Sequence, residues 1–200
     1  MAYTESDSNR SAAVLAKRAA KGDMVALEAL YRRHVEAVWR FAWLRSSSKE
    51  MAADVVQDTF LRVMRSIGQF KGQSAFGTWL FTLARSAAIE IARREQRERA
   101  ARDKAGVLRL VPSPSVSPAD RPDGEIRLAV RRAVAELPGA QRDAIVLCEL
   151  TGLSIREAAE VLSWGESRVK VTLFRARRRL REKLRRHVSD ERVDRRDERE

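Results

Sequence analysis

The chain has 200 residues, 44% of them hydrophobic, with 40 Lys and Arg against 28 Asp and Glu, giving a formal net charge of +12. That length accommodates one or two small domains with packed cores, and the charge favours a polyanionic partner. The single cysteine, Cys148, excludes an internal disulfide or a CxxC zinc site. The polar start MAYTESDSNR and the lack of a bilayer-length apolar run predict a soluble, cytoplasmic protein without membrane insertion.

Read in chain order, the pattern is helical throughout. Val14, Leu15 and Ala19 suggest a first helix ending near Gly22. A second, from Met24 to Leu44, aligns Leu27, Leu30, Tyr31, Val35, Val38 and Ala42 on one stripe. Ser47 and Glu50 form an S-x-x-E start for a third helix carrying Ala52, Val55, Thr59, Phe60, Val63 and Ile67. Residues 68–74 read as a loop by their glycines and polar side chains. A fourth helix begins near Ala75, with Phe76, Trp79, Leu80, Leu83, Ala87 and Ile91 as apolar positions, and runs into a mixed-charge end at 93–99. No stretch alternates with period two long enough for a strand, so the class is all-α.

Residues 105–124 hold four of the five prolines, with serines between them. Proline lacks a backbone donor and disfavours helix before it, so this stretch reads as a linker between two small helical domains, 10–104 and 125–186.

Helices resume near Glu125, with Ile126, Val130 and Val134, and Pro138 opens a stretch of three. Cys148, among Ile145, Val146, Leu147 and Leu150, reads as core filler. Gly152 suits a left-handed cap, and Ser154 with Glu157 forms a capping box for a short helix from Ile155 to Leu162. Residues 163–166 break the chain again before an N-cap at Ser167 and a long basic helix. Two helices joined by a tight turn, the second basic, make a helix-turn-helix. In the second, Val169, Leu173, Ala176, Leu180 and Leu184 should face the core, while Arg168, Lys170, Arg175 and Arg178 point elsewhere. Eight Lys or Arg stand against one acid, Glu182, between Arg175 and Arg186, a bias that points to nucleic acid rather than to a merely solvated face. Residues 187–200, rich in both signs of charge, cannot bury a face and read as a disordered tail or a frayed helix extension.

Three stretches together resemble the bacterial RNA polymerase sigma factors of the extracytoplasmic-function (ECF) type. AKGDMVALEALYRRH resembles that family's first helix pair. AADVVQDTFLRVMRSIGQFKGQSAFGTWLFTLARSAAIEIARR resembles its polymerase-binding, −10 and melting region. LPGAQRDAIVLCELTGLSIREAAEVLSWGESRVKVTLFRARRRLR resembles its −35 reader. They follow the family's order and cover most of residues 16–186.

The resemblance implies two domains, sigma region 2 and sigma region 4, and specific roles. Asp54, Gln57, Asp58 and Leu61 match the surface that docks on the β′ clamp helices of core polymerase; region 4 implies a further contact with the β flap. Phe70, Lys71, Gln73 and Ser74 match the loop that receives a base flipped from the −10 strand, where stacking, charge and hydrogen bonds are needed. Trp79 and Phe76 match aromatic positions of the following helix; the resemblance counts Trp79 among the −10 DNA-binding residues, although the spacing of both favours packing. Arg85, Arg93 and Arg94 suit phosphate contact. For the −35 element the matching residues are Ser167, Arg168, Lys170, Val171, Thr172, Phe174, Arg175 and Arg178; arginine can grip guanine with two hydrogen bonds, and lysine mostly holds phosphate.

Relatives commonly read Gly-Thr-Val-Lys-Ser-Arg where this chain has Ser167 to Thr172, so Val171 and Thr172 replace a polar and a basic contact; their methyl groups suit thymine and imply an altered −35 preference. Ser86 and Glu90 stand where relatives usually carry Asn and Asp. The resemblance further implies promoter DNA and an anti-sigma factor as partners. It implies no cofactor, no metal, no small-molecule substrate and no catalysis by the chain itself. The rival reading is a conventional helix-turn-helix activator or repressor with an N-terminal sensor or dimerisation domain. An enzyme is disfavoured by the lack of P-loop, GxSxG and HExxH motifs.

Overall fold

A computed structural model describes residues 5–104 and 123–197, with side chains described over 11–103 and 128–185. Among these residues every regular element is helical: α1 (Glu5–Ala19), α2 (Met24–Arg45), α3 (Lys49–Ser66) with a 3-10 turn at Ile67–Gln69, and α4 (Phe76–Lys104). Then come α5 (Asp123–Ala135), α6 (Gly139–Ile145) running into a π-helical turn at Val146–Leu150, α7 (Ile155–Leu162) and α8 (Glu166–Asp197). The expected linker lies outside the described residues except for Asp123 and Gly124, which open α5. The charged tail expected from residue 187 continues α8 as helix to Asp197.

Local chemistry sets the ends of these helices. Gly22 takes φ 90° to turn the chain, and Asp23 then accepts the Ala26 amide at 3.0 Å as the N-cap of α2. That amide, together with Arg18, holds the Asp23 carboxyl below the usual range. The cap of α3 is Ser48, whose hydroxyl accepts the Met51 amide at 3.1 Å, one residue later than the expected start at Ser47. At α7 the capping box is complete: Ser154 Oγ accepts the Glu157 amide at 3.3 Å and Glu157 accepts the Ser154 amide at 2.9 Å. Ser154→Ala is therefore expected to lower the stability of the second domain by about 1 kcal/mol in thermal denaturation.

Beyond α7 the sequence expectation needs correcting. Ser163 adopts the left-handed conformation at φ 56°, which ends α7 and turns the chain early. The Gly165 carbonyl accepts the amides of Arg168 and Val169, so α8 begins at Glu166 and Ser167 lies within its first turn rather than at the N-cap. At the other end of the domain, Arg142 closes the C-terminus of α5. Its Nε donates to the Val134 carbonyl at 3.2 Å, and its Nη2 donates to the carbonyls of Leu137, at 3.1 Å, and Ala135.

In the N-terminal half the core is built by Leu30, Val38, Phe41 and Ala42 of α2, Val55 and Val63 of α3, and Phe76, Leu80 and Ala84 of α4. Tyr31, placed by its spacing on the buried stripe of α2, is 45% exposed, with its ring edge-on to Phe60 at 4.7 Å. The same buried cluster continues through Val134, Leu137, Val146, Leu147, Ala158, Leu162, Val169 and Leu173 of the C-terminal half. Cys148, at the π turn, is half-buried rather than enclosed, and burial pushes its thiol pKa up.

The two halves touch. α7 packs on α4, while α5 and the π turn pack on α2. Asp143, at the end of α6, forms ion pairs across the interface with Arg45 of α2 and with Arg85 of α4, the latter at 3.4 Å. At a second point Arg131 of α5 lies over the Trp43 ring, 3.5 Å from its centroid, and donates to the Ser46 carbonyl at 3.4 Å.

Candidate nucleic-acid and polymerase interface

Three surfaces gather the residues singled out from the sequence. The first is a groove between α3 and α4. Asp54, Gln57, Asp58 and Leu61, spaced to share one face of α3, line it opposite Glu90, Arg93, Arg94 and Arg97 of α4. Arg62 spans this groove. It holds Asp58 at 2.8 Å, reaches Glu90 at 2.6 Å, and donates to Ser86 Oγ at 3.3 Å. Glu90 raises the Arg62 pKa above its ordinary value, and Arg62 in turn lowers that of Glu90. The unusual Ser86 and Glu90 are thus engaged within the protein, tying α4 to α3. Sequence reasoning missed Arg62, although its place four residues after Asp58 is a recognisable pairing signal. Arg94 faces Asp54 at 3.5 Å, an exposed contact of little energetic weight.

The second surface is the loop before α4. Phe70 packs edge-on against Phe76, 5.6 Å between ring centroids, and also against Trp79 at 5.2 Å. Phe76 is buried and Trp79 half-buried, in keeping with packing roles. Gly72 turns the loop at φ 70°, leaving Lys71 and Gln73 exposed above an aromatic floor. Ser74 is half-buried, its hydroxyl directed to the Ala75 carbonyl at 3.4 Å. Arg85, grouped by sequence with Arg93 and Arg94, is not beside them: it is turned onto Asp143, and its partial burial lowers its pKa.

The third surface is α8. Burial of Val169, Leu173 and Ala176 fixes the roll of this helix. Ser167, Val171, Phe174, Arg175 and Arg178 consequently face away from the core, with Val171 49% and Phe174 69% exposed. Lys170 is also exposed, whereas Thr172 is half-buried at the side. Arg168 lies over the Trp164 ring, 4.2 Å from its centroid, which steadies the entry to the helix. The basic run is divided in a way its composition does not show. Arg177 pairs with Glu149 and Lys183 with Glu136, bracing α8 against its own domain, while Arg178 pairs with Glu182 at 3.1 Å along the helix.

Residues 30–98 match the family model for sigma-70 region 2, and residues 127–180 match that for sigma-70 region 4. The ECF RNA polymerase sigma factor SigM of Mycobacterium tuberculosis is 35% identical over 173 residues, covering 86% of this chain and 83% of that protein. The chain belongs to the ECF RNA polymerase sigma factors. SigM of Bacillus subtilis, another ECF sigma factor, is 32% identical, with 82% of this chain and 99% of that protein covered. Among solved structures, CnrH in complex with the cytosolic domain of CnrY matches with a TM-score of 0.67 at 26% identity, covering 87% of this sigma factor and 97% of CnrH. RpoE bound to the anti-sigma factor NepR, from Bartonella quintana, matches with a TM-score of 0.66 at 28% identity, covering 79% and 96%. As a sigma factor, the protein binds core RNA polymerase and directs promoter-specific transcription initiation.

Among the described residues no helix of this sigma factor is long and apolar enough to cross a membrane, and no group of His, Cys, Asp and Glu is arranged to hold a metal.

Proposed function

We propose that the three surfaces divide the work of initiation as follows. Asp54, Gln57, Asp58 and Leu61 dock the protein on the β′ clamp helices, and the apolar groove between α5, the π turn and α8, lined by Val130, Val134, Leu150, Leu180 and Leu184, receives the β flap. Lys71 and Gln73 meet a −10 base over the aromatic floor, while Arg93 and Arg94 hold phosphate. α8 enters the −35 major groove. The chain supplies recognition in the cytoplasm and leaves the chemistry to the polymerase.

The observation that carries this reading is the outward face of α8, where exposed Val171 and Phe174 share a surface with the exposed Arg175 and Arg178. An apolar centre flanked by guanidinium groups suits thymine methyls beside guanine edges or phosphates. The relatives bound to CnrY and NepR support an anti-sigma partner here as well.

Run-off transcription with core polymerase on a promoter library tests this division. The wild type is expected to yield start sites sharing two spaced elements. Val171→Ser is expected to shift the −35 preference away from thymine at one position. Arg178→Ala is expected to lower transcription about 5- to 100-fold if it reads a base, or to reduce the salt slope of promoter binding by about one if it holds phosphate. Tight binding of the free protein to palindromic duplex, with no core-dependent transcripts, would return the molecule to the activator or repressor reading.

A further inference from the structure

The turn between α7 and α8 carries a side-chain pair that the basic face of α8 does not account for. Ser163 takes the left-handed conformation, and the Trp164 amide donates back to the Ala159 carbonyl at 2.9 Å. This cap fixes the backbone from which the indole projects. The ring is half-buried and packs against the core. Arg168, exposed in the first turn of α8, lies over that ring with its Cζ 4.2 Å from the centroid. At this distance the cation is attracted by the negative face of the indole.

Arg168 differs in kind from the bracing cations of the same helix. Arg177 is paired with Glu149, Lys183 with Glu136, and Arg178 with Glu182. Among the described residues the Arg168 guanidinium has neither an acid nor a hydrogen-bond acceptor for a partner. It is placed by an uncharged ring, so its five N–H donors stay available. A long arginine chain loses rotamer entropy when a ligand orders it, and a chain already seated loses less. The pair is arranged for binding.

Its position says what it meets. Arg168 precedes Val171 by three residues, Thr172 by four and Arg175 by seven, so the four share one stripe of the helix. In a helix-turn-helix the N-terminal residues of the second helix are the ones that reach base edges. The guanidinium fork matches the O6 and N7 acceptors of guanine, which Val171 and Thr172 cannot engage in that bidentate way.

We propose that Trp164, which lies outside the recognition helix, is a specificity-positioning residue: it holds Arg168 ready to take the O6 and N7 edge of one guanine in the −35 element. Trp164 itself touches no base. This inference rests on the assignment of α8 to the −35 groove.

The test is run-off transcription by core polymerase with the full chain, on promoters randomised across the −35 element and compared base by base. The wild type is expected to prefer guanine at one position by about 5- to 150-fold, and Arg168→Ala to abolish that preference. Trp164→Leu is expected to reduce it about 2- to 5-fold while leaving the preferences at the other positions unchanged, and Trp164→Phe to restore most of it. In the Arg168→Ala background, Trp164→Leu should have no further effect on base preference. Should Trp164→Leu lose helical signal, Trp164→Met, which fills the space with an unbranched chain, decides the matter. A uniform fall at every −35 sequence, in step with a lowered melting temperature, would make Trp164 a packing residue and overturn the proposal. So would an Arg168→Ala effect that is independent of sequence and reduces the salt slope of promoter binding by about one, the mark of a phosphate contact. Both outcomes would leave the −35 assignment of α8 standing, whereas a wild type indifferent to the whole −35 element would overturn that assignment along with the pair.

Discussion

Phe76→Ala is expected to remove about 3–5 kcal/mol of stability from the first domain, the largest single loss from any substitution considered for this sigma factor. The ring is 1% exposed and touches three aromatic neighbours: Phe70 at 5.6 Å, Trp79 at 5.7 Å and His34 at 5.3 Å between centroids. Its removal leaves a cavity at the point where the loop at residues 70–75 meets α4, so the loop loses its floor along with the fold losing its packing. Small domains are commonly stable by only about 5–15 kcal/mol, so a substantial share of the total is at stake. Chemical denaturation monitored by tryptophan fluorescence measures it. Phe70→Ala, at the half-buried end of the cluster, is expected to cost clearly less, and an equal loss at both positions would contradict the hierarchy of burial described above.

The second large effect is a dependence of stability on pH set by His34. Burial holds its imidazole at a pKa of about 4, against the ordinary 6.5, with Arg33 adding to the shift. Between those values the unfolded chain binds a proton that the folded protein refuses. Stability therefore rises with pH from about 4 to 6.5 and is flat above, and the full span amounts to about 3 kcal/mol. The carboxylates with lowered pKa, Asp23, Glu50 and Glu90, also lose stability in acid, but at lower pH, as each is protonated in the fold. The difference between wild type and His34→Gln isolates the histidine. Melting curves collected from pH 4 to 7 should converge toward pH 4 if the assignment holds, and a constant gap between the two proteins would refute it.

Much of the architecture is legible from spacing alone. The bounds of α7, its capping box, the left-handed Gly152 and the buried stripe of α8 all follow from interactions within a few residues. The contact between the halves does not, because each of its members has an ordinary local reading. Asp143 is a lone acid beside an apolar run, Arg45 ends a helix where a cation is favourable, and Arg85 reads as a solitary cation on a helix that carries Arg93 and Arg94 further on. Only tertiary structure brings the three together. The same limit applies to α8, whose composition cannot separate Arg177 and Lys183, which brace the domain, from Arg175 and Arg178, which face outward. Tyr31 failed for the opposite reason: it lies at the margin of a stripe that the burial of α2 does not reach so far.

The length of α8 carries a mechanical consequence. Its 32 residues make a continuous rod about 48 Å long, with the exposed Val171 and Phe174 near one end and Asp197 at the other. A helix transmits torsion along its axis far better than a jointed segment does. Because Val169, Leu173 and Ala176 are buried at the proximal end, a protein or fusion that grips the distal turns gains leverage on the whole body that holds this helix rather than turning the helix alone.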